Sequence, residues 1–307
     1  MTQSTQSLGT AFCRVSMTTA LLALLALPAV AEPNPASDYA PERSAFYMEG
    51  NWMSRDGNLL PFHTDEEVIA FLETAAVVES EVIEGTSSQP LKLVLEQDGV
   101  RARAIFRTVD VERDRMEYNR EHARGFRDHF TYEIAAYELS RLLGLDNVPP
   151  ATLRTLDGQE GSIQLWVERA KGVQERLEEG IDEQHQQLWM FQKQNMAVFD
   201  NLIYNFDRNP GNMLVDSRGK VWFVDHTRSF KILPSLNGRD DIKVLEKQVW
   251  HNLQNLDPEV VHERLGPYLR TTEIDALLAR RDKLVKLIGK RISRHGEQAI
   301  LFEFVRS

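Results

Sequence analysis

An aspartate, Asp207, opens a polar loop, and an asparagine, Asn212, follows five positions later. Two short apolar runs, 213–215 and 221–224, then flank the turn Asp216-Ser217-Arg218-Gly219-Lys220. They deliver a second aspartate, Asp225, thirteen positions after the asparagine. Phosphoryl transfer needs these residue types in this order. One carboxylate orients or deprotonates an attacking hydroxyl. An amide oxygen and a second carboxylate hold a divalent cation against phosphates, as hard oxygen ligands for Mg2+ or Mn2+. A hairpin between them brings both ligands to one point at its open end. Asp, Asn, Pro and Gly are also turn formers, so the loop read alone is equally an Asx-rich turn, and Asp225 an N-cap. The spacing to Asp225, and a small sheet followed by helices, favour the chemical reading.

Those elements have recognisable signals. Thr64-Asp65-Glu66-Glu67 is a capping box that opens a helix with Val68, Phe71 and Leu72 on its apolar side. Strands are expected over 77–83, 91–95 and 100–107, with Gly85 in the first turn and Asp98-Gly99 in the second. The charged stretch 110–129 reads as a loop or an exposed helix. A helix follows over 130–145, carrying Ile134, Tyr137, Leu139 and Leu143 and ending at Gly144. Residues 151–155 and 162–168 form a strand pair around Asp157-Gly158. The second half is helical over 184–205, 241–255, 258–269 and 272–292, with the polar loop between the first two. Asp200 and Asn205 flank that loop and are expected to cap or orient it. Trp166, Trp189 and Trp222 read as core. Arg280-Arg281 and Lys283 read as a solvated face of the last helix.

The chain has 307 residues, a net charge of −10, 42% hydrophobic and 27% charged residues. These values exclude wholesale disorder and coiled coil, and an acidic chain is a poor coat for nucleic acid. Residues 17–30 are apolar and rich in Leu and Ala, and Ala29-Val30-Ala31 fits a cleavage site, so 1–31 reads as a signal peptide. Read as an uncleaved anchor, the apolar run is short for a membrane span. The only cysteine, Cys13, lies within this segment. The mature chain would therefore carry no disulfide and no thiol chemistry. It would be exported, periplasmic or secreted, with no stable transmembrane segment after cleavage. Residues 32–45 read as a flexible leader, 46–168 as a sheet lobe with one main helix, and 169–307 as a helical lobe.

The segments 206–212 and 224–226 resemble the Asp-Arg-His-x-x-Asn and Ile-Asp motifs of atypical kinases. These include the phosphatidylinositol 3/4-kinases, the persister-toxin kinases and the secretory-pathway kinases that act on casein-like proteins and proteoglycan sugars. The secretory-pathway pattern matches best, because Tyr132–Leu143, Val148-Pro149-Pro150 and Gly161-Ser162-Ile163-Gln164 also resemble it in the same order. The resemblance spans roughly residues 66–292. It implies an α+β, two-lobed atypical protein-kinase-like fold with ATP between an antiparallel-sheet lobe and a helical lobe.

Carried over by position, the resemblance makes Asp207 the catalytic aspartate and Asn212 and Asp225 the ligands of Mg2+ or Mn2+. Glu133 would pair with the phosphate-anchoring cation, Gly85-Thr86-Ser87 would turn over the phosphates, and Gln164 to Glu168 would lie beside adenine. Two positions depart from the pattern. Arg107 stands where the family has Lys, with Lys92 on the neighbouring strand as a possible substitute, and Asn209 replaces His. The implied activity is transfer of the γ-phosphoryl of ATP to a hydroxyl of a protein Ser/Thr, a sugar or a lipid head group. The alternatives are a pseudokinase acting as a nucleotide- or partner-binding scaffold, and nucleotidyl transfer in the same cleft.

Overall fold

The computed structural model describes residues 42–43, 52–86, 88–115, 124–179, 183–238 and 242–306. The expected signal peptide, nearly all of the leader, and Ser87 lie outside the described residues. The described residues all belong to the compact unit Asn34–Ser307. At its periphery Glu42–Arg43 (β1) pairs in parallel with Val305–Arg306 (β14).

The sheet lobe is built on alternation. Helix α1 (Asp65–Thr74) starts at Thr64, whose hydroxyl accepts the Glu67 N–H at 3.3 Å, while the Glu67 carboxylate accepts the His63 N–H at 2.6 Å. Strands β2 (Ala76–Val82), β3 (Leu91–Gln97) and β4 (Val100–Arg107) form a meander. Leu93, Leu95, Ala102, Ala104 and Phe106 point to one face and bury against Val68, Phe71 and Leu72 of α1. Lys92, Arg103, Ile105 and Arg107 alternate with them and point to the other face. The second strand pair, β7 (Ala151–Leu156) and β8 (Gln159–Leu165), joins the same sheet because β8 pairs antiparallel with β4. The five strands run in the order β2-β3-β4-β8-β7.

The described residues of the stretch 110–129 are neither loop nor helix. Its described parts are strands β5 (Asp110–Arg115) and β6 (Arg124–His129), paired antiparallel as a separate ribbon. Polar residues on both faces of the ribbon hid its period of two.

Helix α2 (Thr131–Leu143) follows and is buried almost all round. It stops at Gly144, whose φ of +70° lets the Leu145 N–H turn back to the Ser140 carbonyl at 2.8 Å. A short strand β9 (Lys171–Gly172) and helix α3 (Val173–Glu179) lead to the long helix α4 (Glu183–Ile203). Strands β10 (Met213–Val215) and β11 (Val221–Phe223) form the expected hairpin, with β9 on the outer edge of β10. Strand β12 (Leu245–Glu246) precedes helices α5 (Lys247–Gln254), α6 (Pro258–Leu265) and α7 (Thr271–His295). The chain closes through α8 (Glu297–Ile300) and β13 (Leu301–Phe302), which pairs with β12. A second core gathers α2, α4, α5, α6 and α7 around Phe199, Leu202, Leu253 and Leu277. No helix among the described residues is long and apolar enough to cross a membrane.

The expected solvated face of α7 is overturned at Arg280, which is fully buried. Its Nε donates to the Leu202 carbonyl at 2.8 Å, and its Nη1 to the Lys231 and Leu233 carbonyls at 2.7 and 2.5 Å. Burial draws its pKa down to about 9. Lys283 donates to the Pro234 carbonyl at 2.6 Å. Two cations of α7 thus fasten the segment after Asp225 and the end of α4. Arg280→Ala would strand three carbonyls inside the protein. Urea unfolding should show a loss of about 3 kcal/mol or more, against less than about 0.5 kcal/mol for Lys290→Ala on the exposed side of α7. Equal losses for the two would contradict this role.

Candidate active site

Helix α4 ends at Ile203, and the loop Asp207–Asn212 begins three residues after a backbone reversal at Tyr204 (φ +53°). Its backbone is held on all sides. The Asn205 side chain accepts the Asp207 N–H at 3.0 Å. The Asp207 carbonyl accepts the Asn212 amide at 3.0 Å and the Asn209 amide at 3.2 Å. Asn209, the departure from His, caps the short 3-10 turn Pro210–Asn212 by accepting the Gly211 N–H at 2.9 Å. The Asn212 amide N–H is spent on Asp207, so its amide oxygen is the group left to act as an acceptor.

Arg208 ties this loop to the rest of the site. Its Nε and Nη2 meet Asp200 of α4 at 3.1 and 2.9 Å. Its Nη1 reaches the carbonyls of Asn212 and Val224 at 2.7 and 2.8 Å. Both ends of the β10–β11 hairpin are thereby pinned to one guanidinium. Asp200 and Asn205 orient the loop, as the sequence led us to expect.

Asp225 follows Val224 in the left-handed region, at φ +60°. Tyr204 and Phe230 share that conformation, at +53° and +54°. Three non-glycine residues of this kind around one loop mark stored strain of roughly 1 kcal/mol each. Burial pushes the Asp225 carboxyl above its usual range, and Arg107, whose charge acts on it, opposes the rise.

Arg107 and Glu133 are brought together from β4 and α2, with Nε and Oε1 3.7 Å apart. Glu133 is fully buried. It also accepts the His226 N–H at 2.8 Å and contacts His226 Nδ1 at 3.1 Å. Burial alone would raise its pKa, but Arg107 and His226 outweigh it and hold the carboxyl down to about 2. Nη1 of Arg107 is buried without a partner. Gly161 opposite is obligatory, because a Cβ there would meet the Arg107 carbonyl at 2.4 Å and the Phe106 ring at 2.7 Å.

The remaining residues expected beside a nucleotide are placed differently. Gly85 and Thr86 occupy the exposed β2–β3 turn, and the register Val82↔Leu91↔Phe106 puts that turn at the Arg107 end of the sheet. Thr86 donates to the Ile83 carbonyl at 3.2 Å. Gln164 is buried and donates to the Pro149 carbonyl at 3.2 Å. Glu168 is held by both arms of Arg103, at 2.6 Å for Nε. Trp166, expected in the core, is half-buried between Lys92 and Arg103, each 5.5 Å from its ring. Lys92 is paired with Glu81 at 2.6 Å.

Sequence reasoning missed Arg228. Its Nη1 donates to Asp207 Oδ2 at 3.0 Å and its Nε to Asp128 Oδ2 at 2.8 Å. The Asp128 side lay in the stretch read as a loop or an exposed helix, so no signal paired them.

The donor set suits a divalent cation. Among the described residues no group of three His, Cys, Asp or Glu side chains converges on one point. The half-buried Asp225 carboxylate and the Asn212 amide oxygen would leave most of a coordination shell to phosphate and water, the usual arrangement for Mg2+ with a nucleotide. Unpartnered Arg107 Nη1 supplies a donor for the same anion.

No protein-family model and no curated protein matches the chain. Solved structures do. A hydra Fam20 structure with sugar aligns at TM-score 0.60 and 16% identity, covering 78% of this chain and 92% of that one. A Golgi casein kinase aligns at 0.57 and 16%, covering 79% of each chain. The Golgi casein kinase with Mn/ADP bound aligns at 0.55 and 15%, covering 78% of each. The chain therefore has the two-lobed α+β fold of these kinases. The wider likeness to phosphatidylinositol and persister-toxin kinases rests on motifs alone.

The Glu133 carboxyl yields a pH prediction. Its folded pKa lies below the unfolded value, so its stabilisation is complete above about pH 4.5 and fades as pH falls toward 2. The stability difference between the wild type and Glu133→Gln should reach on the order of 3 kcal/mol at neutral pH and shrink steadily below pH 4.5. A difference independent of pH would show that the charge on Glu133 is not what matters.

Proposed function

We propose that the chain is an exported ATP-dependent phosphotransferase of the secretory atypical-kinase type, moving the γ-phosphoryl group to a hydroxyl. The observation that carries this reading is that Asp225 lies within electrostatic reach of the Arg107–Glu133 pair, while Arg208 ties the loop bearing Asn212 and a partly exposed Asp207 to the residue before it, on a fold like that of Golgi casein kinase. Residues 46–168 serve as the sheet lobe and 169–307 as the helical lobe. The signal-like residues 1–31 support export, periplasmic or secreted. The acceptor is a protein Ser/Thr, a sugar or a lipid head group. Neighbours that carry sugar in one case and Mn/ADP in another support a hydroxyl acceptor and a metal-bound nucleotide.

In this reading Asn212 and Asp225 would hold Mg2+ or Mn2+. When bound, the cation neutralises charge that develops on the phosphates. Arg107 donates its free Nη1 to a phosphate oxygen, while Glu133 keeps the guanidinium from swinging away. The Gly85-Thr86 turn closes over the phosphates, and the β8 end around Gln164 to Glu168 lines the adenine side. Asp207 receives the acceptor hydroxyl and orients it for in-line attack.

Thermal shift of the mature chain with ATP and Mg2+ or Mn2+ tests the site. Ligand at about 100 times its Kd should stabilise by about 2.7 kcal/mol in the wild type and in Asp207→Asn, but not in Asp225→Ala. Label should leave γ-32P-ATP and not α-32P-ATP. Transfer from the α position would establish nucleotidyl transfer instead. Absence of any metal-dependent shift would leave the fold as a binding scaffold.

A further inference from the structure

Asp207 is fixed through its backbone, yet its side chain is 36% exposed and could rotate. Backbone hydrogen bonds at its N–H and carbonyl do not set χ1 or χ2. What reaches its carboxylate is Arg228. The guanidinium spends two different nitrogens on two different carboxylates, Nη1 on Asp207 and Nε on Asp128. Asp128 is only 5% exposed and stands on β6, which is knitted to the same segment a second time by the His129 N–H to Thr227 carbonyl bond at 2.9 Å. Arg228 also lies within electrostatic reach of Asp225. It stands among three carboxylates, one of them placed to bind a cation.

We propose that Arg228 is a positioning residue for the transfer, a clamp anchored on Asp128 that fixes the Asp207 carboxylate toward the acceptor hydroxyl. This rests on the phosphotransferase reading. A carboxylate with one oxygen engaged presents the other in a set direction. Without the clamp, a nearby divalent cation would attract the carboxylate into its own shell, and the acceptor would lose its partner. Arg suits this task better than Lys, whose single ammonium cannot face two carboxylates along two fixed N–H directions and can hold only one of them at a time. The β5–β6 ribbon thereby has a function. It carries the fixed end of the clamp.

ATP hydrolysis, with water as the acceptor, tests this without knowledge of the natural substrate. Arg228→Gln should lower kcat by about tenfold or more, with KM for ATP and the metal-dependent thermal shift within about twofold of wild type. Arg228→Lys should recover part of kcat, and Asp128→Asn should reproduce part of the loss. In an Asp207→Asn background, Arg228→Gln should cost nothing further, since the clamp acts only through that carboxylate. Should Arg228→Gln fail to fold by circular dichroism, Arg228→Lys and Asp128→Asn carry the comparison. Wild-type kcat in Arg228→Gln, or a raised KM at unchanged kcat, overturns the clamp and leaves the kinase reading standing. A wild type that neither binds nor hydrolyses ATP overturns both.

Discussion

A single buried carboxylate, Glu133, joins the two halves of this site. It faces Arg107 of the sheet and takes both the backbone N–H and the ring nitrogen of His226. His226 follows Asp225, so the helix glutamate sets where the Asp225 backbone stands relative to the sheet. A charge buried to this depth costs several kcal/mol unless it is paired and hydrogen-bonded. Glu133 has both kinds of partner. Removing any one of them leaves the others facing an uncompensated charge, so the contact demands that sheet, helix and loop be in place together.

The same logic of one charged group with several fixed partners recurs around the loop. Arg208 holds Asp200, Asn212 and Val224. Arg280 holds the end of α4 and the segment from Lys231 to Leu233. Each guanidinium is a planar fork that meets several acceptors at fixed angles. Together they stabilise a backbone that includes three left-handed residues outside glycine. The strain is tolerated because the contacts around it over-determine the conformation.

Much of this was legible in the sequence, and the reasons differ by element. The loop after α4 and the hairpin that leads to Asp225 were readable because turn residues separate two short apolar runs. Helix α2 was readable from its apolar period and from Gly144. The β5–β6 ribbon was not, because charged residues on both faces erase the alternation that marks a strand. Nor does local sequence say that β7 and β8 join the first three strands, since that pairing is made by β4 from 55 to 61 residues away. Arg280 was misread although its signal was present. It falls on the stripe of Leu277, Leu284 and Ile288, and a cation in an apolar stripe is more informative than its charge alone.

Arginine at position 107 is best understood through the same geometry. A lysine there would bring one compact ammonium, to be shared between the helix carboxylate and a phosphate. The guanidinium divides the two tasks among its nitrogens. Nε faces Glu133, and Nη1 remains buried and without a partner. A buried donor without a partner costs about 1–3 kcal/mol, which a bound anion would return. The overall acidity of the chain does not oppose such an anion, because screening confines exposed charges to about 10 Å while the cations of the site act at contact. The departure from lysine is therefore consistent with a phosphate site whose anchor is held from one side and open on the other.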